Sequence, residues 1–471
     1  MFRSFWVDEA GTFWMAHDGL LPAIQKTWHW PGQSILYSAI ASFFCLNGGP
    51  LREFVLRIPS VLGVAAAGYF IYRLAENAIG LDAGLVALII LAFHPDIVPL
   101  ATEARPYGLA LGAVAASCWY LYRYVQTGLR RDLGAYVVAS LLVVYLQYLF
   151  AMIFCAQFVY LVYILVADRR MARWREMLAA YLIIGLLCLP LVPHMRLLLH
   201  EAHTLPLAIS PAIVDLLDKL LAPYIAFGLF LAAFLVQFLL PASLRGPTAL
   251  KRPFIVLTLG WWLFAPVLFF AVTAVSPMRV FVPRYISYSA LAQVLLLAYA
   301  GWCVLDSRAA RTWAMVGVLL STASPLSIAF GRARGVEELQ PFMRIIRAES
   351  VKGAPPPVFF CSPLPESNFY NWRAGVEASY LYAPFVAYPI PNKFLPLPYR
   401  LTDEVKEHIS RLVNTELIDK PEVLFITHQT LVNSWMPWML QRMKEAGFEA
   451  KVEQPNAYTV IIFRRPTEAR P

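Results

Sequence analysis

Ten long apolar runs, most of them separated by short loops, govern what this chain can fold into. They lie at about 57–74, 82–101, 107–123, 134–149, 151–166, 177–195, 222–241, 254–275, 285–305 and 312–330. A helix needs roughly 20 apolar residues to cross a hydrocarbon core about 30 Å thick, and most of these runs approach that length. Hydrophobic residues make up 59% of the chain and charged residues 15%. A water-soluble domain carries about a quarter charged residues, so this surface must face lipid over much of its area. The expected fold is a polytopic α-helical membrane protein with a small C-terminal α/β domain. Residues 134–166 are too many for one span, and the run reads as two helices turning near Phe150.

The formal net charge is +9, and the excess sits in the apolar part. Residues 1–330 hold 22 Lys and Arg against 15 Asp and Glu; residues 331–471 hold 17 against 15. Alternate loops carry 13 basic residues on one side: Arg73; Arg123, Arg130, Arg131; Arg169, Arg170, Arg173, Arg175; Arg245, Lys251, Arg252; Arg308, Arg311. The opposite loops carry five, namely Arg105, Arg196, Lys219, Arg279 and Arg284. The richer side is cytoplasmic by the positive-inside rule. Basic residues scattered among membrane loops are not a nucleic-acid stripe, so nucleic acid is excluded as a partner. With ten spans both ends face outward, which leads to the expectation of a further helix before Met1. The apolar stretch 33–47 would invert every later loop if it crossed, so it is expected as an interfacial helix.

Beyond Phe330 the pattern becomes that of a soluble domain, 331–471. Helices are expected at Val336–Ser350, Asp403–Val413 and Trp435–Ala446, and strands at Val358–Cys361, Val423–Thr427 and Thr459–Phe463. The stretch 380–400 has no clear period. No glycine-rich phosphate loop follows a strand, so nucleotide binding is not indicated. The six cysteines form no CxxC pair and read as small core residues.

Acidic side chains beside apolar helices are costly and usually have a partner or a task. Asp8 and Glu9, flanked by Trp6 and Val7, could serve as a general base with an orienting neighbour, or simply as the first-turn acids of a helix. Thr102-Glu103-Ala104-Arg105-Pro106-Tyr107 opens the helix after 82–101, with Glu103 and Arg105 either at a site or forming a structural ion pair. Val282-Pro283-Arg284-Tyr285 opens the helix 285–305, where an arginine beside free backbone N–H groups suits a phosphate; a snorkelling arginine is the alternative. His194, His200, Glu201 and His203 lack the HExxH spacing, so no metal site is assigned. Trp28-His29-Trp30 could stack on a sugar or anchor the chain in the membrane interface.

Trp6-Val7-Asp8-Glu9-Ala10, Leu56-Arg57-Ile58-Pro59-Ser60, Glu103-Ala104-Arg105-Pro106-Tyr107 and Arg284-Tyr285, in this order, resemble the GT-C class of membrane glycosyltransferases. The similarity is greatest to the bacterial family 39-like group related to protein O-mannosyltransferases and lipid A aminoarabinose transferases. The resemblance covers about 1–305. It implies transfer of a sugar from a polyprenyl-phosphate donor to a glycan, lipid or protein acceptor, with inversion, at the outer face of a bacterial cytoplasmic membrane. The acidic pair of the family's first outer loop maps onto Asp8, as base, with Glu9 beside it. Arg105 and Arg284 would face the phosphate, Tyr107 and Tyr285 would hold sugar or phosphate, and Glu103 would orient Arg105 or bind a sugar hydroxyl. No cofactor is called for, and a divalent metal is left open. A family histidine near the fifth helix corresponds to Gln147, and the Pro-Pro-Leu-Tyr-like stretch corresponds to Trp30–Tyr37. A transporter of lipid-linked sugars is the alternative, and it would require repeats and broken helices with charges near the midplane.

Overall fold

The computed structural model describes residues 3–30, 32–167, 173–202, 211–221, 252–276, 278, 280–304, 337–351, 353–368, 372–373 and 380–466. In chain order its helices are α1 (Val7–Ala16), α2 (Leu20–His29), α3 (Ile35–Phe43), α4 (Arg52–Ala78), α5 (Leu81–Ala92), α6 (Val98–Ala101), α7 (Tyr107–Thr127), α8 (Arg130–Leu146) and α9 (Ile153–Ala167). These are followed by α10 (Trp174–Cys188), α11 (Val192–Ala202), α12 (Ile213–Leu221), α13 (Arg252–Val275), α14 (Pro283–Ile286), α15 (Ser289–Val304) and α16 (Gln340–Ser350). Helices α17 (Ala383–Ala387), α18 (Asp403–Thr415) and α19 (Val432–Glu445) accompany the strands β1 (Val358–Cys361), β2 (Phe394–Leu397), β3 (Glu422–His428), β4 (Glu449–Glu453) and β5 (Tyr458–Arg464).

The chain divides into two compact units. One holds Gly19–Leu46 and Phe54–Phe330; the other holds Phe2–Asp18, Asn47–Glu53 and Gly331–Pro471. The second unit therefore includes more than the stretch after 330, because α1 and its acidic pair belong to it.

In the first unit four described helices are long and apolar enough to cross a membrane: Arg52–Ala78, Tyr148–Ala167, Trp174–Leu199 and Arg252–Val275. The expected spans 222–241 and 312–330 lie outside the described residues, as do Arg169, Arg170, Arg245, Lys251, Arg279, Arg308, Arg311 and His203. Helix α3 has nine residues, about 14 Å at 1.5 Å per residue, too short to cross; Ser34 caps it by accepting from the Tyr37 N–H at 3.0 Å. The run 134–166 breaks at Gln147, three residues before the expected turn, and a 3-10 turn, Tyr148–Met152, leads into α9. The run 82–101 is also interrupted, ending as α5 at Ala92 and resuming as α6 at Val98.

Helix α7 is buried on nearly every side. It meets α4 through small residues: a Cβ on Gly63 would lie 2.4 Å from the Gly108 carbonyl, and one on Gly108 would lie 2.5 Å from the Ser60 carbonyl oxygen. Gly108 and Gly112 are four apart, the spacing that lets helix backbones touch where lipid gives helices no hydrophobic reason to associate. Polar side chains add to the packing. Tyr136 donates to Gln157 Oε1 at 2.9 Å, and Gln157 donates to Ser117 Oγ at 2.9 Å, all three buried. At its far end α7 stops at Gly128, whose φ of 70° no β-branched residue takes up readily; the Gly128 N–H donates to the Tyr124 carbonyl, and Arg173 donates to the carbonyls of Tyr124 and Val125.

One expected helix is corrected. The run 285–305 is not continuous: α14 ends at Ile286, and α15 begins at Ser289. The Tyr288 carbonyl accepts from the Leu291 N–H at 3.2 Å and from the Trp261 indole of α13 at 2.9 Å, and the Ser287 and Ser289 hydroxyls bond back to Arg284 and Ile286 carbonyls. A broken helix is tolerated in an apolar bundle only when its backbone groups are satisfied in this way.

The second unit is built on a five-stranded sheet in the order β2-β1-β3-β5-β4, parallel across β2-β1-β3 and antiparallel across β3-β5-β4. One face packs Phe359, Val423, Phe425 and Ile461 against α18 and α19 through Ile409, Trp435 and Met439. The N-terminal segment docks on this unit. The Phe5 carbonyl accepts from Leu339 N–H at 3.0 Å, and Phe5 N–H donates to the Tyr388 hydroxyl at 2.8 Å. Tyr388 in turn donates to Glu53 Oε1 at 2.8 Å. The Arg52 guanidinium lies over the rings of Phe5, Phe13 and Tyr388 at 5.5, 5.2 and 4.8 Å. Burial, reinforced by the Glu53 carboxylate, pushes the Tyr388 pKa up and keeps its proton available for that bond.

Candidate active site

In the first unit the start of α7 is held from three sides. The Arg105 N–H closes a tight turn onto the Glu103 carbonyl at 2.8 Å, and the Arg105 carbonyl accepts from the buried Ser60 hydroxyl of α4 at 2.9 Å. Tyr37 of α3 lies 3.4 Å from the same hydroxyl. Two of the sequence motifs, Leu56–Ser60 and Glu103–Tyr107, are therefore in direct contact. The Arg105 side chain is 5% exposed, and its Nη1 donates to Gln33 Oε1 at 2.8 Å.

From Arg105 a row of rings runs to Arg284. The Arg105 guanidinium lies 5.9 Å from the Tyr107 ring centre, Tyr107 lies 6.4 Å from the Tyr285 ring, and the Arg284 guanidinium lies 5.5 Å from the Tyr285 ring. Phe150 backs this row, 6.3 Å from Tyr107 and 4.7 Å from Tyr288. Two guanidiniums stacked on tyrosine faces, at least one of them desolvated, form a strongly positive patch with phenol donors, a combination suited to an anion. Arg284 stands in a four-residue helix, so the expected N-terminal N–H groups of a long helix do not supplement it.

Asp8 and Glu9 lie in the first turn of α1, in the second unit, where they are 8% and 1% exposed. Glu9 Oε2 faces the Trp6 N–H at 3.5 Å, the reach-back of a capping residue. Asp8 adds to the negative field that, after burial itself and the charge of Glu337, holds the Tyr458 phenol pKa high. Arg105, Tyr107, Tyr285 and Arg284 are thus brought together within one unit, and Asp8 and Glu9 within the other. Glu103 sits in the turn before α7.

His194 is occupied on both nitrogens, 2.7 Å from the Tyr148 hydroxyl and 3.0 Å from the Thr27 carbonyl, so it clamps α11 to α2. Among the described residues no group of three or more His, Cys, Asp or Glu side chains could hold a metal ion. Trp28 lies 5.8 Å from the His194 ring and His29 bonds back to the Gln25 carbonyl. Sequence reasoning missed Gln33 and Ser60 as the residues that fix Arg105. Ser60 lies inside a quoted motif and Gln33 in the stretch that departs from the family, but neither identity alone reveals a partner 45 or 72 residues away.

Residues 33–196 match the family model described as dolichyl-phosphate-mannose-protein mannosyltransferase. That range contains Arg105 and Tyr107 but neither Asp8 nor Arg284. No curated protein matches by sequence. The fold is similar to ArnT from Cupriavidus metallidurans bound to undecaprenyl phosphate, at TM-score 0.56 and 13% identity, covering 98% of this chain and 94% of that one. The apo state of the same protein gives TM-score 0.58 and 12% identity over the same shares. The chain therefore resembles the dolichyl-phosphate-mannose-protein mannosyltransferase family over about a third of its length, and it shares its fold with ArnT over 98% of it.

Proposed function

We propose that the protein transfers a sugar from a polyprenyl-phosphate carrier to a hydroxyl of a glycan, lipid or protein acceptor at the outer face of a bacterial cytoplasmic membrane. The observation that carries this reading is the row Arg105–Tyr107–Tyr285–Arg284, which joins residues some 180 positions apart into one cationic, phenol-bearing patch. Such a patch is what a departing phosphate requires: guanidiniums stabilise the charge that accumulates as the bond from the sugar's anomeric carbon to the phosphate oxygen breaks. The positive-inside distribution supports an outward-facing site. The undecaprenyl phosphate held by ArnT supports a carrier of the same chemical class.

Asp8 is the general base. It takes the acceptor's hydroxyl proton as that oxygen forms its bond to the anomeric carbon, and the polyprenyl phosphate leaves with the electron pair. Attack opposite the leaving group inverts the centre. Phosphate is already a good leaving group, so the base carries more of the catalysis than any acid; positioned bases contribute about 10²–10⁴-fold. Glu9 holds the first turn of α1, and Glu103 orients the turn that carries Arg105. Membranes containing the protein, incubated with radiolabelled polyprenyl-phosphate sugars, are expected to move label onto an acceptor. Asp8→Asn is expected to abolish that movement. Full transfer by Asp8→Asn removes the base assignment.

A further inference from the structure

Helix α7 has 21 residues, so its two ends lie about 30 Å apart. Tyr107, at one end, belongs to the cationic row. The other end carries a second group of arginines, together with the first turns of α8 and α10. Those turns are neighbours: Arg130 Nη2 of α8 lies 3.8 Å from Glu176 Oε1 of α10. By the distribution of basic residues this is the cytoplasmic rim.

Some of these guanidiniums are committed within the fold. Arg123 pairs with the buried Asp132 at 3.1 Å, and Arg173 donates to the carbonyls that end α7. Others are not. Arg131 is exposed and makes no ion pair among the described residues. Arg175 is exposed too; its guanidinium lies 5.8 Å from the Trp174 ring, with no carboxylate paired to it among those residues. The Arg130 side chain is 89% exposed, and it shares Glu176, whose other oxygen accepts from the Tyr124 hydroxyl. On these three helix ends Asp132 and Glu176 leave positive charge in excess.

Below the uncommitted arginines run exposed apolar stripes. Trp174, Leu178 and Leu182, four residues apart on α10, are 47%, 48% and 65% exposed. On α8 the line from Arg131 continues through Gly134, Val138 and Leu142. Nothing lies within 4 Å of a Cβ built on Gly134, and Val138 and Leu142 are 58% and 41% exposed. Residues three or four apart share one face of a helix, so each stripe has a guanidinium at its head. That pairing matches an amphiphile with an acidic head and apolar tails. A free phosphate would engage the arginines and leave the stripes unused.

We propose that this end of α8 and α10 binds an anionic phospholipid of the phosphatidylglycerol type. Arg131 and Arg175 hold its phosphodiester, Arg130 adds charge, and the acyl chains lie along the stripes. Trp174 stands at headgroup level, where indoles are enriched. Juxtamembrane arginines attract acidic lipids by charge, an attraction that the ammonium of phosphatidylcholine cancels. The site stands apart from the cationic row and does not depend on the transferase reading.

The test uses the full chain in non-ionic detergent, with bound lipid counted by native mass spectrometry as phosphatidylglycerol or phosphatidylcholine is added. The wild type is expected to retain phosphatidylglycerol in preference to phosphatidylcholine. Arg131→Gln with Arg175→Gln, at an unchanged melting temperature, is expected to weaken retention about 25-fold, at about fivefold per arginine. Either single variant serves if the pair melts early. Arg131→Lys with Arg175→Lys keeps the charge and is expected to restore most of the retention. Equal phosphatidylglycerol retention in the wild type and the Gln variants, or equal retention of the two lipids by the wild type, overturns the site. Displacement of the lipid by millimolar inorganic phosphate also overturns it, in favour of a free anion.

Discussion

The two units hold themselves together by different means. In the first, helices approach until glycine meets backbone, at Gly63, Gly108 and Gly112, and the buried polar side chains Tyr136, Gln157 and Ser117 join across helices. In the second, a sheet buries Trp435, Phe425, Met439 and Ile461 in an apolar core. The difference follows from solvent. Lipid is as apolar as leucine, so only close packing and hydrogen bonds distinguish one helix arrangement from another. Water expels apolar surface at about 25 cal/mol per Å², so size and shape of the core residues decide the second unit.

Core truncation is expected to separate the units most clearly. Trp435→Ala removes a fully buried ring and should destabilise the second unit by about 3–5 kcal/mol, read by denaturant unfolding of that unit's tryptophan signal. A cost below 1 kcal/mol would mean that the sheet does not depend on this core. Gly108→Ala is the matching change in the first unit. Its Cβ would meet Ser60 backbone 2.5 Å away, and the helices must part, at about 1–3 kcal/mol. Loss of detergent-resistant melting checks it; an unchanged melting temperature would show that α4 and α7 do not rely on the contact. Ser60→Ala removes the hydroxyl that holds the Arg105 carbonyl and should cost about 1 kcal/mol. Its sharper readout is weaker binding of undecaprenyl phosphate, since the Arg105 turn loosens.

The smallest effect concerns acidity. His408 and His428, both in the second unit, have pKa values pushed down chiefly by burial. Their unfolded value is near 6.5. Below it the unfolded chain binds more protons than the folded one, so their contribution is full above pH 6.5 and is lost as pH falls through that value. Melting of the second unit should therefore decline from pH 7 to pH 5, and less so in a His408→Gln, His428→Gln double variant. An equal decline in both proteins would remove these histidines as the cause.

The same contrast explains how much was legible in the sequence. β1 was read with its observed bounds, and β3 and β5 to within a residue or so at each end, because both of their faces are buried and the apolar runs stand out. β2 carries Pro396, which removes a ladder donor, and β4 is Glu449–Glu453 with charged residues on an exposed edge, so neither resembles a strand locally. The break at Ser287–Tyr288 lies in a run that reads as one span, and the Tyr288 carbonyl there is shared with Trp261 of another helix, a partner the sequence does not reveal. Arg105, Tyr107, Arg284 and Tyr285 were legible by residue type and order. The company kept by Asp8 was not, since Tyr458 lies 450 positions away and only the sheet brings its strand to α1.

The most direct measurement follows the sugar itself. Purified wild-type and Asp8→Asn proteins in nanodiscs would be given a radiolabelled polyprenyl-phosphate sugar with membrane acceptors, and both carrier binding and labelled product counted. The expected result is equal carrier binding, held by Arg105 and Arg284, with product formation reduced at least about 10²-fold in Asp8→Asn. Product formation by Asp8→Asn at the wild-type rate, or no carrier binding by either protein, would contradict it.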